Sequence, residues 1–152
     1  MTDEELVALA REAALEAYAP YSGFEVGCAI ESLEGKIVTG ANVENACYRL
    51  GICAEQLALA NAQAEFGLHR VARIAVAGGR IVAGALFGER TVTPCGGCRQ
   101  AILEAAQLGE PIDVEIICSS GDGQVIERHR INELLPHSFG PANLNDAGKR
   151  LR

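Results

Sequence analysis

The sequence feature that most constrains this chain is the octapeptide Thr-Pro-Cys-Gly-Gly-Cys-Arg-Gln at positions 93–100. Its two thiols, Cys95 and Cys98, stand at the start of a predicted helix and are close enough in sequence to reach one metal ion together. A helix N-terminus carries a partial positive charge, which favours thiolate over thiol. Because C-x-x-C also occurs in redox proteins and structural zinc sites, the octapeptide alone does not decide between these classes.

A third thiol and a carboxylate lie upstream in Cys53-Ala54-Glu55, at the start of another predicted helix. Zinc prefers tetrahedral ligation, and three protein ligands leave the fourth position to water, which is typical of catalytic sites. Bound zinc lowers the pKa of that water to about 7. Glu55 is placed to carry protons between the water and a substrate nitrogen. This pattern, that of the zinc-dependent base deaminases, predicts hydrolytic attack on an amidine-like carbon with loss of ammonia.

Two other interpretations of the thiols remain open from these residues. In the first, Cys47 is a fourth ligand and closes a structural zinc site in a non-catalytic binding protein, although this leaves the neighbouring glutamate unexplained. In the second, Cys95 and Cys98 form a redox dithiol, although such sites normally stand without a further Cys-x-Glu element. Cys28 and Cys118 lie in apolar, strand-like runs, so we interpret them as small buried side chains.

Length and charge narrow the class of protein further. The 152 residues are predicted to form one domain, 1–152, large enough to bury a core without disulfides. A formal net charge of −7 argues against binding a nucleic-acid polymer, and the tightest basic group, 128–130, is interpreted as a solvated turn. No apolar run is long enough to cross a membrane, and the N-terminus is acidic, unlike that of a signal peptide. We therefore expect a cytoplasmic protein that acts on a small molecule.

The pattern of apolar residues predicts an α/β protein with one mixed sheet flanked by helices. Thr2 and Glu5 form a capping-box signature at the start of the first helix, and Pro20 is expected to end it. The second helix has so little polar surface that we expect it to be buried on most sides. The predicted helices span 3–19, 53–66 and the segment after Cys98, and the predicted strands span 24–30, 36–43, 71–77, 114–118 and 124–127, with a further apolar run at 81–87.

Asn42 and Glu44 are candidate substrate-binding residues at the end of the second predicted strand. In an extended chain their side chains point to the same side. An amide beside a carboxylate suits hydrogen bonding to a diol such as the hydroxyl groups of ribose. Spacing alone favours a different interpretation, in which Asn42 forms an Asx turn and Glu44 is a surface acid.

With these motifs in place, the chain from Tyr18 to about Leu144 resembles the small homotetrameric cytidine deaminases. The shared stretches are Tyr-Ala-Pro-Tyr-Ser at 18–22, Phe-Glu-Val-Gly-Cys-Ala at 24–29, Gly-Ala-Asn-Val-Glu-Asn-Ala at 40–46, Cys-Ala-Glu at 53–55, the octapeptide at 93–100, Glu-Leu-Leu-Pro at 133–136 and Ser-Phe-Gly-Pro at 138–141. The resemblance implies a three-layer α/β fold with a mixed five-stranded sheet. It also implies zinc-dependent deamination of cytidine and 2′-deoxycytidine in pyrimidine salvage, by a homotetramer with shared active sites.

The resemblance also assigns roles to individual residues. Those implied to hold zinc are Cys53, Cys95 and Cys98, with Glu55 as the proton shuttle. Those implied to contact substrate are Asn42 and Glu44 near the ribose 3′-hydroxyl, Phe24 on the pyrimidine and the N–H of Ala54 at the base carbonyl. Those implied to serve the pocket of a neighbouring subunit are Ala46, Tyr48 and Phe139.

Three features depart from the usual pattern of this family. Gln56 stands where members usually carry an arginine that offsets the charge of the thiolates. Cys47 replaces a small residue, and the segment 78–90 is longer than in compact members, which leaves a nearby loop or interface undetermined. Within the enzyme class, the rival substrate is another cytosine-bearing molecule, such as the nucleoside antibiotic blasticidin S.

Overall fold

The chain folds around a mixed β-sheet with helices on both sides, in a computed structural model that describes residues 1–108 and 113–144. The helices are α1 (Asp3–Ala14), α2 (Ala54–Glu65), α3 (Gly96–Leu108), α4 (Ile131–Leu134) and α5 (Pro141–Leu144). The strands are β1 (Glu25–Ser32), β2 (Ile37–Ala41), β3 (Val71–Val82), β4 (Ala85–Phe87), β5 (Glu115–Ser120) and β6 (Ile126–Arg130). The predicted α/β class is confirmed.

The main path of the sheet has five strands in the order β2-β1-β3-β5-β6. β3 and β5 are parallel, with Ile74 opposite Ile116, and α3 lies on the crossover between them. β1 pairs antiparallel with β2 and β3, and β5 pairs antiparallel with β6. The mixed five-stranded sheet is therefore present as predicted, and β4 adds a sixth strand that pairs with the far end of β3.

Apolar side chains are buried on both faces of the sheet, which makes the fold three-layered. On one face, α1 contributes to a cluster that includes Leu6, Ala29 and Ile117. On the other face, α2 and α3 contribute to a larger cluster that includes Ile30 and Ile116. Because helices cover both faces, residues that alternate along β1 and β5 are buried on opposite sides of the sheet. The predicted three-layer architecture is confirmed.

Two glycines let the helices approach the sheet more closely than a larger residue would permit. A Cβ atom at Gly27 of β1 would lie 1.9 Å from the carbonyl oxygen of Ala10 in α1. A Cβ atom at Gly40 of β2 would lie 2.5 Å from the amide nitrogen of Ala58 in α2. Since these neighbours are backbone atoms, a larger residue would push the helix away from the sheet. Gly40 thereby sets how closely the helix that begins at the Cys-Ala-Glu sequence lies against β2.

The first helix begins as predicted but ends earlier. The Glu5 carboxylate accepts from the Thr2 N–H at 2.8 Å and the Thr2 hydroxyl accepts from the Glu5 N–H at 3.2 Å, which completes the capping box. The prediction that Pro20 ends this helix is wrong, because α1 ends at Ala14. The cause is tertiary: Tyr18 leaves the helical path to form a parallel bridge with the chain beyond β2.

The segment 78–90 extends the sheet as a hairpin. β3 continues beyond its predicted end to Val82, and β4 returns along it with Ile81 opposite Leu86.

The strand predicted at 124–127 is displaced to Ile126–Arg130. The basic group at 128–130 therefore lies on β6 and not in a turn, because pairing with β5 and not local charge decides its conformation.

The expectation that α2 is buried on most sides is wrong for the single chain. Its buried residues are Ala54, Glu55, Ala58, Leu59 and Ala62. Its exposed residues include Gln56, Ala60, Asn61, Gln63 and Ala64. The helix is covered only where it meets the sheet and α3, so its alanine-rich composition does not indicate how much of it is buried.

Among the described residues, no helix combines the length and the apolar character needed to cross a bilayer.

Candidate active site

Three thiols come together where α2 and α3 begin. Cys53 is the N-cap residue of α2, Cys95 directly precedes α3, and Cys98 lies in the first turn of α3. Their three sulfur atoms lie within 4.8 Å of one another, and those of Cys95 and Cys98 are 3.5 Å apart. Three sulfur donors at these separations can reach a single metal ion. The fold thus brings together the thiols that the two sequence motifs had suggested.

The ionisation of these thiols indicates what kind of ion the cluster suits. The Cys98 N–H donates to the sulfur of Cys95 and holds the pKa of Cys95 below that of an ordinary thiol, as expected near a helix N-terminus. Burial raises the pKa of Cys53 and of Cys98, and the charge of Glu55 raises both further. Three thiolates cannot stay ionised so close together without a positive charge among them. A dication that prefers sulfur meets that requirement, so the donor set fits zinc.

Glu55 lies in the first turn of α2 beside the thiols, with 4% of its surface exposed. Burial raises the pKa of its carboxyl group, against the opposing effect of hydrogen bonds from its own N–H and from Cys98. A carboxyl group with a raised pKa can give up and recover a proton near neutral pH more readily than an exposed one. This is the arrangement that a proton shuttle beside a metal ion requires.

Two contacts near the thiols were not foreseen from the sequence. The Nε2 atom of Gln56 lies 4.0 Å from the sulfur of Cys98, so its amide offers a neutral donor to the cluster. Arg99 donates from Nε to the carbonyl of Pro94 at 2.8 Å and from Nη1 to the carbonyl of Leu134 at 2.9 Å. These bonds tie the turn before α3 to α4. Arg99 adjoins the C-x-x-C motif, but no local signal identifies an acceptor that lies 35 residues away.

An open cavity of about 460 Å³ reaches this centre at Cys53. Its volume falls in the range of about 300–1,000 Å³ that is common for small-molecule sites. Its lining includes Tyr21, Ser22, Asn42, Glu44 and Tyr48. The cavity therefore joins one of the thiols to Asn42 and Glu44, which are expected to contact the ribose, and to Tyr48, which is expected to serve a neighbour's pocket.

Asn42 and Glu44 face the cavity from the chain just beyond β2, and both bond to a distant segment. The side-chain amide of Asn42 bonds to the backbone at the start of β1. The Glu44 carboxylate accepts two N–H groups of the turn before β1, and the Ser22 N–H is the main cause of its lowered pKa. The interpretation of Asn42 as an Asx turn is therefore wrong, and Glu44, interpreted as a surface acid, is bonded to the backbone of another segment. Spacing could not reveal it, because the partners come from the preceding loop.

The remaining residues expected near substrate are dispersed in the single chain. Tyr48 lines the cavity, 79% exposed, and its ring meets that of Tyr21 at a centroid distance of 5.6 Å. The residues that do not line the cavity are Ala46, the buried Ala54, and Phe24 and Phe139, which are 40% and 62% exposed. Cys47 is exposed and lies outside the cluster of three thiols. The structure therefore does not support Cys47 as a fourth ligand.

The chain is similar to proteins of one family along most of its length. Residues 1–109 match the family described as the cytidine and deoxycytidylate deaminase zinc-binding region. A cytidine deaminase from Halalkalibacterium halodurans is 37% identical over 146 residues, which is 96% of this chain and 100% of that protein. One from Mycobacterium tuberculosis is 38% identical over 133 residues, which is 86% of this chain and 84% of that protein.

Solved structures show the same likeness. The 1.6 Å crystal structure of cytidine deaminase from Burkholderia pseudomallei matches with a TM-score of 0.78 and 36% sequence identity. The match covers 91% of this chain and 100% of the chain in that structure. Cytidine deaminase from Mycobacterium tuberculosis has a TM-score of 0.71 at 34% identity and covers 92% of this chain and 98% of its own. The assembled thiols, the buried glutamate and these matches lead to one conclusion: the chain belongs to the cytidine deaminase family, an enzyme family with a zinc-binding deaminase domain.

Proposed function

We propose that this protein catalyses the zinc-dependent hydrolysis of cytidine and 2′-deoxycytidine to uridine and 2′-deoxyuridine, with release of ammonia. The observation that carries the proposal is the cluster of three sulfur atoms within 4.8 Å of one another, beside the buried Glu55. Relatives that are cytidine deaminases support the choice of nucleoside. Pyrimidine salvage and the organisation of residues 1–152 as one domain belong to the same proposal.

Cys53, Cys95 and Cys98 would hold the zinc ion. When bound, zinc supplies a Lewis acid that makes water a nucleophile near neutral pH. The chain supports its ligands through donors aimed at sulfur: the Cys98 N–H at Cys95, and the amide of Gln56 at Cys98. Such donors stabilise thiolate without adding a further charge.

Glu55 would move the protons of the reaction. Its carboxylate takes one proton from the attacking water and delivers it to N3 of the pyrimidine. It then takes the second proton of that water, from the hydroxyl group now on C4, and delivers it to the amine, so that the C4–N bond breaks with release of ammonia. Its burial supports this role, because desolvation raises its pKa and keeps both the acid and the base form accessible.

Four residues would position the nucleoside. Asn42 and Glu44 would bind the ribose near its 3′-hydroxyl, and both line the cavity that reaches the thiols. Phe24 would pack on the pyrimidine, and the N–H of Ala54, at the start of α2, would donate to the base carbonyl. An orphan N–H at a helix N-terminus is a suitable donor for such an acceptor.

The test is direct observation of the reaction with purified, zinc-loaded protein. Loss of the ultraviolet absorption of cytidine should be matched by an equal amount of ammonia, and 2′-deoxycytidine should behave in the same way. Turnover of neither nucleoside by protein that holds one zinc ion per chain would contradict the proposal. Turnover of another cytosine-bearing compound in their place, blasticidin S included, would move the assignment to that substrate.

We further propose a homotetramer with shared active sites, in which Ala46, Tyr48 and Phe139 serve a neighbour's pocket. Large apolar side chains in the cavity lining are exposed, among them Tyr21 at 48% and Tyr48 at 79%, and Phe139, outside the lining, is 62% exposed. Exposed apolar side chains that cluster in this way mark association surfaces. Sedimentation equilibrium should give four times the 16.0 kDa of one chain, and a monomer at micromolar concentration would refute the assembly.

Three reduced thiols in the site support a cytoplasmic location.

A further inference from the structure

The segment of residues 18–26, of which Tyr21 and Ser22 line the cavity, has little backbone support of its own. Tyr18 pairs with the chain beyond β2, through its N–H to the Asn42 carbonyl at 2.9 Å and its carbonyl to the Glu44 N–H at 2.8 Å. After that the segment turns, with one internal backbone–backbone bond, from the Gly23 N–H to the Ala19 carbonyl at 2.9 Å, and one bond from the Phe24 N–H to the Ser22 hydroxyl at 3.1 Å. Regular pairing with the sheet resumes only in β1. The turn at residues 21–24 must therefore be held by side chains.

Glu44 holds the first half of this turn. Its Oε1 atom accepts from the N–H of Tyr21 at 3.0 Å and from the N–H of Ser22 at 3.1 Å. Two consecutive backbone donors directed at one carboxylate oxygen form charge-assisted bonds, which are stronger than neutral ones. Neither N–H group bonds to Oε2, so that oxygen can accept from a ligand in the cavity.

Asn42 holds the second half. Its Nδ2 donates to the carbonyl of Phe24 at 3.0 Å, and its Oδ1 accepts from the N–H of Val26 at 2.9 Å. The amide can satisfy both groups in one orientation only, because a flipped amide would set donor against donor and acceptor against acceptor. The side chain thus adds two hydrogen bonds of the kind that join paired strands, next to the bond from the Asn42 N–H to the Val26 carbonyl at 3.2 Å. One hydrogen of Nδ2 remains for the cavity.

We propose that Asn42 and Glu44 are positioning residues that hold the turn at residues 21–24 in place, and with it the cavity wall formed by Tyr21 and Ser22. The inference deepens the proposed function and rests on it for the substrate: each residue divides its hydrogen-bonding capacity between the wall and the nucleoside. A side chain that only touched ribose would matter to ribose alone. A side chain that also fixes the wall matters to every substrate that the wall contacts, including one without ribose hydroxyl groups.

The test compares two variants of Glu44. Glu44→Gln keeps a carbonyl oxygen where Oε1 accepts both N–H groups, whereas Glu44→Ala removes the acceptor. In hydrogen–deuterium exchange of the zinc-loaded, nucleoside-free protein, Glu44→Ala should raise uptake in the peptide covering residues 20–24, and Glu44→Gln should stay near wild type. Glu16→Ala is the matched control, because Glu16 is exposed just before this segment and should change nothing.

Asn42→Ala is the second variant and keeps the test decisive if Glu44→Ala fails to fold. It should raise uptake at residues 24–26, because the Val26 N–H loses its side-chain acceptor. Unchanged exchange in both segments, in whichever of the two variants folds, overturns the proposal. The exchange experiment needs no substrate, so it tests the wall even if the protein does not deaminate cytidine.

The kinetic arm uses cytidine and 2′,3′-dideoxycytidine, which lacks the ribose hydroxyls at positions 2′ and 3′. Glu44→Ala should lower kcat/KM roughly tenfold on both substrates, the size expected for lost bonds to a charged group, mainly through KM because the thiols and Glu55 are untouched. Glu44→Gln should recover the dideoxycytidine rate. If the loss on cytidine disappears on dideoxycytidine, Glu44 acts through the hydroxyl groups alone and the positioning role is refuted.

Discussion

The Glu55→Gln variant should retain its fold and its zinc but lose cytidine turnover by roughly 10²- to 10⁴-fold, the contribution typical of a general acid–base group. The amide has the shape of the carboxylate and can accept a hydrogen bond, but it cannot take a proton from water or return one to the pyrimidine. Glu55 is 4% exposed, so bulk buffer cannot replace it easily. The measurement is kcat for cytidine together with the zinc content of each preparation.

Glu65→Gln is the matched control for this change. It makes the same substitution in the same helix, at an exposed side chain whose contact is an ion pair with Lys36 at 3.4 Å. An exposed pair of this kind contributes little to stability, so kcat should stay at the wild-type value. Substantial turnover by Glu55→Gln would show that another group moves the proton and that the proposed mechanism is wrong.

Glu55→Gln, which should lower turnover sharply, should stabilise the fold of the metal-free protein. Because burial raises the pKa of Glu55 in the folded state, folding favours its protonated form. The neutral carboxyl is accommodated at low pH, and the protein loses stability as pH rises through the folded pKa of the group. Metal-free Glu55→Gln should therefore melt at a higher temperature than the wild type at pH 8, with the difference closing in acid. A lower melting temperature at pH 8 would mean that the carboxylate is stabilised in the fold.

The Cys98→Ser variant should lose both zinc and activity. Cys98 is fully buried in the first turn of α3, with its sulfur 3.5 Å from that of Cys95. A serine hydroxyl is not a ligand of choice for zinc and does not ionise near neutral pH, so the remaining two thiols form an incomplete site. The expected result is a zinc content well below one ion per chain after dialysis and no measurable ammonia release. Zinc is quantified by atomic absorption on protein whose fold is checked by circular dichroism.

Two cysteine controls separate metal binding from other effects of the substitution. Cys118→Ser places a hydroxyl at another fully buried position outside the cluster, and should retain zinc if the variant folds. Cys47→Ser changes an exposed thiol and should retain both zinc and activity. Loss of zinc from Cys47→Ser would reinstate the four-thiol structural site, and full zinc occupancy in Cys98→Ser would remove Cys98 from the ligand set.

Where the sequence predicted correctly, the signal was local or was a set of scarce residue types. The capping box at Thr2 and Glu5 is a local signal, and it formed as predicted. Cysteine is scarce enough that a Cys-x-Glu element followed by C-x-x-C indicated one shared centre. The mixed sheet flanked by helices followed from the pattern of apolar residues, and the three-layer arrangement was implied by the resemblance to a known family.

Where the sequence failed, the deciding partner was distant along the chain. The first helix ends at Ala14 because Tyr18 forms a bridge with Val43, beyond β2. No property of the residues near Tyr18 predicts that bridge. The alanine-rich α2 has the composition of a buried helix, yet one side of it is exposed in the single chain. The composition of a helix decides whether it could be buried, whereas the neighbouring sheet and helices decide which of its residues are buried.

The sequence by itself determined which side chains could form a metal centre, because three thiols and one glutamate at these spacings favour a zinc-dependent hydrolytic site over a redox dithiol or a closed structural site. Only the tertiary structure decided which backbone groups are bonded to the polar side chains of the cavity beside that centre. The carboxylate of Glu44 and the amide of Asn42 each bond to backbone 16 to 23 residues earlier. Hydrogen bonds form between groups that the fold brings within about 3 Å, and sequence separation carries no information about that distance.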